Sequence, residues 1–137
     1  MMMVYKNVML AALFCVASAC NYSHFALDKE IDGPYRLQAA DDARQAAVSY
    51  TDGVVAEERV PPTVFAVGFN NEYISAEIHP YDEKKDAIDR GKIFYYIIKR
   101  DLDGKDKLPK DSVTGPISED EYFNLKIHSL LPKLKSI

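Results

Sequence analysis

TVFAVGFNNEYISAEI, residues 63–78, is the stretch that decides the fold. Apolar and polar positions alternate on both sides of Asn70-Asn71, which is the pattern of two half-buried strands. Asparagine tolerates positive φ better than any residue but glycine, and a tight turn needs that. A two-residue turn at Asn70-Asn71 sets Val67 opposite Ile74 and Phe65 opposite Ala76. Phe65, Val67, Phe69, Ile74, Ala76 and Ile78 then share one dry face, and the other face carries Thr63, Gly68, Tyr73, Ser75 and Glu77.

Upstream, Pro61-Pro62 breaks the chain, and Val54–Val60 reads as the return strand of a second hairpin. Its first strand is Ala47–Thr51 and its turn is Asp52-Gly53, with Glu57, Glu58 and Arg59 near the exposed end. Tyr35–Ala39 alternates after Gly33-Pro34, and residues 39–47 read as loop plus strand in preference to a short helix. Downstream, residues 79–91 form a charged loop. Lys92–Arg100 is apolar on both parities, which predicts a central strand covered on both faces.

The cover for its second face is a C-terminal helix. Ser118 with Glu121 three residues later is a capping box, and Glu119 and Asp120 suit the positive end of the helix dipole. Phe123, Ile127, Leu130, Leu131 and Leu134 form an apolar stripe, and Pro132 ends or kinks the helix near Leu130. The fold class is α+β: an antiparallel meander sheet of about five strands with one C-terminal helix packed on it.

A chain of 137 residues builds one domain. Its 17 Lys and Arg against 21 Asp and Glu give a net charge of -4, which argues against nucleic acid as a partner. Both cysteines fall within the first 20 residues, so the body has neither a disulfide framework nor a zinc-thiolate site.

The chain opens MMMVYKNVMLAALFCVASAC, with Lys6 as its only charge. Val8–Ala17 is apolar throughout, which is too short for a bilayer span and has the length of a signal-peptide core. Ala17-Ser18-Ala19-Cys20 resembles the lipobox of bacterial lipoproteins, with Ala17 standing where leucine is usual. The resemblance implies cleavage between Ala19 and Cys20 and acylation of Cys20, so the partner at this end is membrane lipid. Asn21 in the next position implies export to the outer membrane, facing the periplasm, in a Gram-negative host. An ordinary secretory signal cut after Ala17 or Ala19, and a buried N-terminal helix, are the alternatives. The expected organisation is residues 1–19 as signal peptide, 20–30 as lipidated cysteine and tether, and 31–137 as a single domain.

Chemistry-bearing groups are sparse. Asp101-Leu102-Asp103-Gly104-Lys105-Asp106 looks like a calcium loop, but the glycine falls at the wrong position, so a solvated turn is expected. His24, His79 and His128 are scattered and lie in no hydrolase motif, so no catalytic residue and no cofactor are assigned. No metal is expected either, and His79, Asp82 and Asp86 are the nearest approach to a ligand set. Tyrosine gives large rigid area with a polar end and is favoured at interfaces. Tyr73, Ser75 and Glu77, on the less apolar face of the central hairpin, are therefore the candidate binding surface.

Val60-Pro61-Pro62-Thr63-Val64, Asn70–Ala76, Phe94–Lys99 and Val113–Phe123 together resemble a small family of bacterial lipoprotein domains with no assigned function. The resemblance covers roughly residues 60–123 and departs in the charged insert Arg100–Asp111. It implies an envelope location and supplies no catalytic residue. The function expected is a membrane-anchored, non-catalytic module that binds another envelope protein, as accessory subunit, inhibitor, or immunity or exclusion factor. The alternative is a small cell-wall-acting or metal-dependent hydrolase.

Overall fold

The computed structural model describes residues 25–137. The expected signal peptide, the lipobox and Cys20 lie outside the described residues. Strands make up 44% of the described residues and helix 15%, so antiparallel sheet dominates.

Four strands come first: β1 (Leu27–Asp32), β2 (Tyr35–Ala39), β3 (Ala47–Thr51) and β4 (Ala56–Val60). They form one antiparallel sheet in sequence order. β5 (Val64–Phe69) and β6 (Tyr73–Ile78) follow, then the short pair β7 (Tyr81–Asp82) and β8 (Ala87–Ile88), then β9 (Phe94–Lys99). A 3-10 turn (Arg100–Leu102) and helix α1 (Pro109–Ser112) lead to β10 (Val113–Ile117), helix α2 (Glu119–His128) and β11 (Lys135–Ser136). The second sheet has the order β10-β9-β6-β5-β11.

The single meander expected from the sequence is therefore two sheets, and the division falls at Pro61-Pro62. Proline cannot donate to a ladder, so β4 is not followed by a neighbour in its own sheet. The chain crosses instead, and Tyr35, Leu37, Val48 and Val60 of the first sheet bury against Val64, Ile74, Ile78 and Ile98 of the second. The first strand also begins earlier than expected. β1 starts at Leu27, within the stretch read as tether.

β9 is central, between β10 and β6, and both of its faces are covered as its composition requires. Ile98 faces the first sheet, while Tyr95 and Ile97 face α2 and the tail. β6 keeps the expected dry face of Ile74, Ala76 and Ile78, whereas in β5 Val64, Ala66 and Gly68 are the buried residues and Phe69, expected on the dry face, is 50% exposed. The register differs too. Phe69 pairs with Ile74 and Val67 with Ala76, two residues from the expected alignment. Asn70 is the cause. Its Oδ1 accepts from the N–H of Glu72 at 3.0 Å and of Tyr73 at 2.7 Å, which moves the turn to Asn71-Glu72. A slip of one residue would have inverted both strands, whereas a slip of two leaves Val67, Ile74 and Ala76 on one side of the hairpin. A bulge at Phe65 then lets Val64 take the inward position opposite Ile78.

Ser118 caps α2 as expected, accepting from the N–H of Glu121. The predicted apolar stripe does not pack as expected, because the helix stops at His128 and leaves Leu130, Leu131 and Leu134 outside it. Tyr122 is the residue α2 buries, stacked on Tyr95 with centroids 4.3 Å apart. Leu131 and Leu134 pack from the extended tail. Two glycines permit this cover. A Cβ on Gly68 would collide with the Lys133 backbone oxygen, and Gly115, at φ +146, brings the backbone against Tyr96 and within reach of the Tyr95 carbonyl.

Arg59, expected at an exposed strand end, is buried, and Asp103, expected in a solvated turn, is buried with it. Their side chains are 1% and 0% exposed, and Arg59 Nε donates to Asp103 Oδ1 at 2.9 Å. Arg59 Nη2 also donates to the Gly104 carbonyl at 3.1 Å, and the Tyr35 hydroxyl donates to Asp103 Oδ2 at 2.8 Å. The Arg59 guanidinium lies over the Tyr50 ring. Burial, and then the hydrogen bond to Asp103, hold the Tyr35 hydroxyl well above the ordinary tyrosine range. Removing one partner of a buried pair strands the other charge. Asp103→Ala is expected to lower the unfolding free energy by about 3–5 kcal/mol in urea titrations, and Arg59→Met with Asp103→Leu to recover most of it. Gly68→Ala is expected to cost about 1–3 kcal/mol in the same measurement, because it levers the tail away from β5.

Candidate functional site

The face expected to bind a partner is covered. Ser75 is buried, and Tyr73 and Glu77 are half-buried beneath α2 and the tail. Tyr73, Tyr95 and Tyr122 form a cluster with Leu131 and Leu134. The Ser75 and Tyr122 hydroxyls are both buried without a hydrogen-bond partner among the described residues. Burial pushes the Tyr122 hydroxyl up, and the nearby Ser75 opposes this without reaching hydrogen-bond geometry. Tyr95 is pushed up to about 12, mainly by burial and then by Glu77.

The histidine loop is built for structure. His79 stacks on Phe65 with centroids 4.2 Å apart, and its Nδ1 lies 2.9 Å from the Lys92 carbonyl. Asp82 accepts from the N–H groups of Lys84 and Lys85 and so caps the β7-β8 turn, while Asp86 accepts from the Tyr81 hydroxyl. His79, Asp82 and Asp86 are not brought together as a ligand set, and among the described residues no group of three His, Cys, Asp or Glu is placed to hold a metal.

What lies open is the outer face of α2. Phe123, Ile127 and Leu130 are 45%, 76% and 82% exposed. Phe123 and Ile127 stand at i and i+4 on the helix, and Leu130 is the first residue past the C-cap, Ser129, where the backbone is already extended. The sequence does contain this stripe. It fails to say that Tyr122, one position away, is the residue that packs.

The domain has two distinct ends. At one, the N–H of Ala26 donates to Ala40, Val64 to Ala46, and His79 to Thr63. At the other, Arg100 Nη1 donates to Asp32 and to the Asn70 carbonyl, each at 2.7 Å, and Asn70 Nδ2 donates to the Leu130 carbonyl at 2.7 Å. The chain enters the fold at the first end, and α2 finishes at the second.

Two sheets face to face, with a single substantial helix on the outer side of the second, define a small antiparallel β domain of the α+β kind. The chain belongs to a family described as "Protein of unknown function (DUF3997)", whose model matches residues 33–134. That span contains the whole of the stretch 60–123 on which the resemblance to an uncharacterised domain family rests. No curated protein and no solved structure matches the chain. No helix among the described residues is long and apolar enough to cross a membrane.

Glu77 provides a pH test of the covered face. Burial, and then the proximity of Glu119, raise its carboxyl above the ordinary value of 4.5, against an opposing effect of His79. A carboxyl raised in the folded state favours folding while protonated and loses that contribution as pH rises through its folded pKa. Glu77→Gln is therefore expected to melt higher than the parent at neutral pH, with the gap closing as the pH falls through the raised pKa and gone below 4.5. Thermal melts across that range check it.

Proposed function

We propose that this chain is a lipid-anchored, non-catalytic domain of the bacterial cell envelope that docks on another envelope protein through the outer face of α2. The observation that carries the docking is the exposure of Phe123 and Ile127 on α2, and of Leu130 just past its C-cap, while Tyr122 of the same helix packs inward. Contiguous exposed apolar side chains on a folded domain mark contact sites. Two anchors one turn apart, with a third just beyond the helix end, suit an apolar groove on a partner.

The anchor rests on the lipobox-like Ala17-Ser18-Ala19-Cys20. With β1 starting at Leu27, six residues separate Cys20 from the sheet, a span of at most about 25 Å. An acylated Cys20 would hold the chain-entering end of the domain close to the bilayer. The C-terminus of α2 finishes at the opposite end, and that arrangement offers Ile127 and Leu130 to a protein partner and not to the lipid surface. Roles as accessory subunit, inhibitor, or immunity or exclusion factor all fit this arrangement.

The test has two parts. In the native host, metabolic palmitate should label the full-length chain, and Cys20→Ala should remove the label and release the protein from the membrane fraction. Ile127→Lys with Leu130→Lys should leave the melting temperature within about 2 °C, since exposed positions contribute little, and abolish a stoichiometric complex recovered from solubilised envelopes. Lack of a label overturns the anchor. A complex that survives both lysines, or no complex with the parent chain, overturns the docking face.

A further inference from the structure

A groove of about 430 Å³ opens where the free edge of the first sheet, β1, lies beside β5 of the second. Its floor is Leu27, Leu37, Val64, Phe65 and Ile137. It continues along the same side into a recess of about 200 Å³ beside Ile31, Val67 and Phe69, sharing Lys29, Leu37 and Ile137. Three cations stand around the wider part: Lys29, Arg44 and Arg90. Lys135 and one carboxylate, Glu30, line the recess, so the positive charge is concentrated at the wider part. Arg44 is held by Asp42, whereas Lys29 and Arg90 make no ion pair among the described residues. In a chain of net charge -4, positive groups around an apolar cleft form a distinct feature.

The wall is built by the irregularity in β5. The bulge between Val64 and Ala66 takes Phe65 out of the inward alternation, and Phe65 lines the groove. Stacking on His79 fixes the ring there. A pocket of this volume with a few charged groups at its rim has the form of a small-molecule site.

We infer that this groove binds a single-chain anionic amphiphile, with the hydrocarbon tail along the floor between the sheets and the acidic head against Lys29 and Arg90. The apolar floor calls for a tail, and the unpaired cations call for a carboxylate or phosphate. An added peptide strand fits less well. β1 carries Asp28, Lys29, Glu30 and Asp32, and charges along an edge strand oppose pairing with another strand. The wider part of the groove is lined by Leu27, Ala43 and Thr63, residues of the end at which the chain enters the fold. The supply of amphiphile from a nearby bilayer rests on the anchoring proposed above, but the binding itself does not.

The experiment uses the full-length chain purified into phosphatidylcholine nanodiscs, with a diazirine-bearing dodecanoic acid as probe. After irradiation, adducts should map to the peptides containing Leu27, Phe65 and Ile137. Dodecanoate and dodecyl phosphate should both compete, and dodecanol should not. If only one of the two competes, it identifies the head group. Lys29→Glu with Arg90→Glu should lower adduct yield about fivefold without changing the melt, because both side chains are exposed and their charge acts on the ligand. Ala43→Trp, placed at the rim, should lower the yield with dodecanol absent or present. Adducts scattered over the surface overturn the inference. So do yields indifferent to both variants, competition by dodecanol equal to that by dodecanoate, or displacement by an extended peptide alone. Palmitate on Cys20, measured on the same sample, separates the two proposals: groove adducts with an unmodified Cys20 sink the anchor alone, and an acylated Cys20 without groove adducts sinks the groove alone.

Discussion

Arg59 and Asp103 meet where neither can reach water, and the domain is arranged around that contact. Arg59 lies at the end of the first sheet, whereas Asp103 belongs to the segment that follows the central strand of the second. The pair therefore ties the two sheets together by something other than apolar packing. Tyr35 and the Gly104 carbonyl take up further hydrogen-bonding capacity, which is what a buried pair requires to be tolerated. A second basic residue, Arg100, performs a similar task at the surface by joining the Asp32 turn to the Asn70 turn. The charged insert is thus a clasp between layers.

Much of the second sheet was legible in the sequence because it depends on local pattern. The double-sided strand at 94–99 and the alternation in β6 follow from composition alone, as does the Ser118 cap on the helix that covers them. The split into two sheets was less legible. Pro61-Pro62 marks the break, but nothing local says that the chain crosses over in place of turning. Asn70 misled for a physical reason: its side chain competes for backbone N–H groups, and that local contest sets the register. Arg59 and Asp103 were invisible as partners because they are 44 positions apart and each sits among other charges.

The candidate surface moved from one side of the last layer to the other. Tyr73, Ser75 and Glu77 lie under the last layer, and of the residues expected to hold α2 down, Phe123, Ile127 and Leu130 are exposed while Leu131 and Leu134 pack from the tail. Both shifts have one origin. A helix of 10 residues cannot carry a stripe that runs from Phe123 to Leu134, so the extended tail takes over the packing and the helix turns Tyr122 inward. The aromatic stack on Tyr95 gives that rotation a definite geometry.

The distance along the chain between Arg59 and Asp103 also bears on how the protein comes into being. A ribosome adds residues in order, so all four strands of the first sheet are complete while the partner carboxylate is still 44 residues away. Until Asp103 arrives, the first sheet offers Arg59 only Glu57, 3.6 Å from Nη1 and partly open to solvent. The buried end of the first sheet is therefore complete only once the segment after the central strand supplies Asp103.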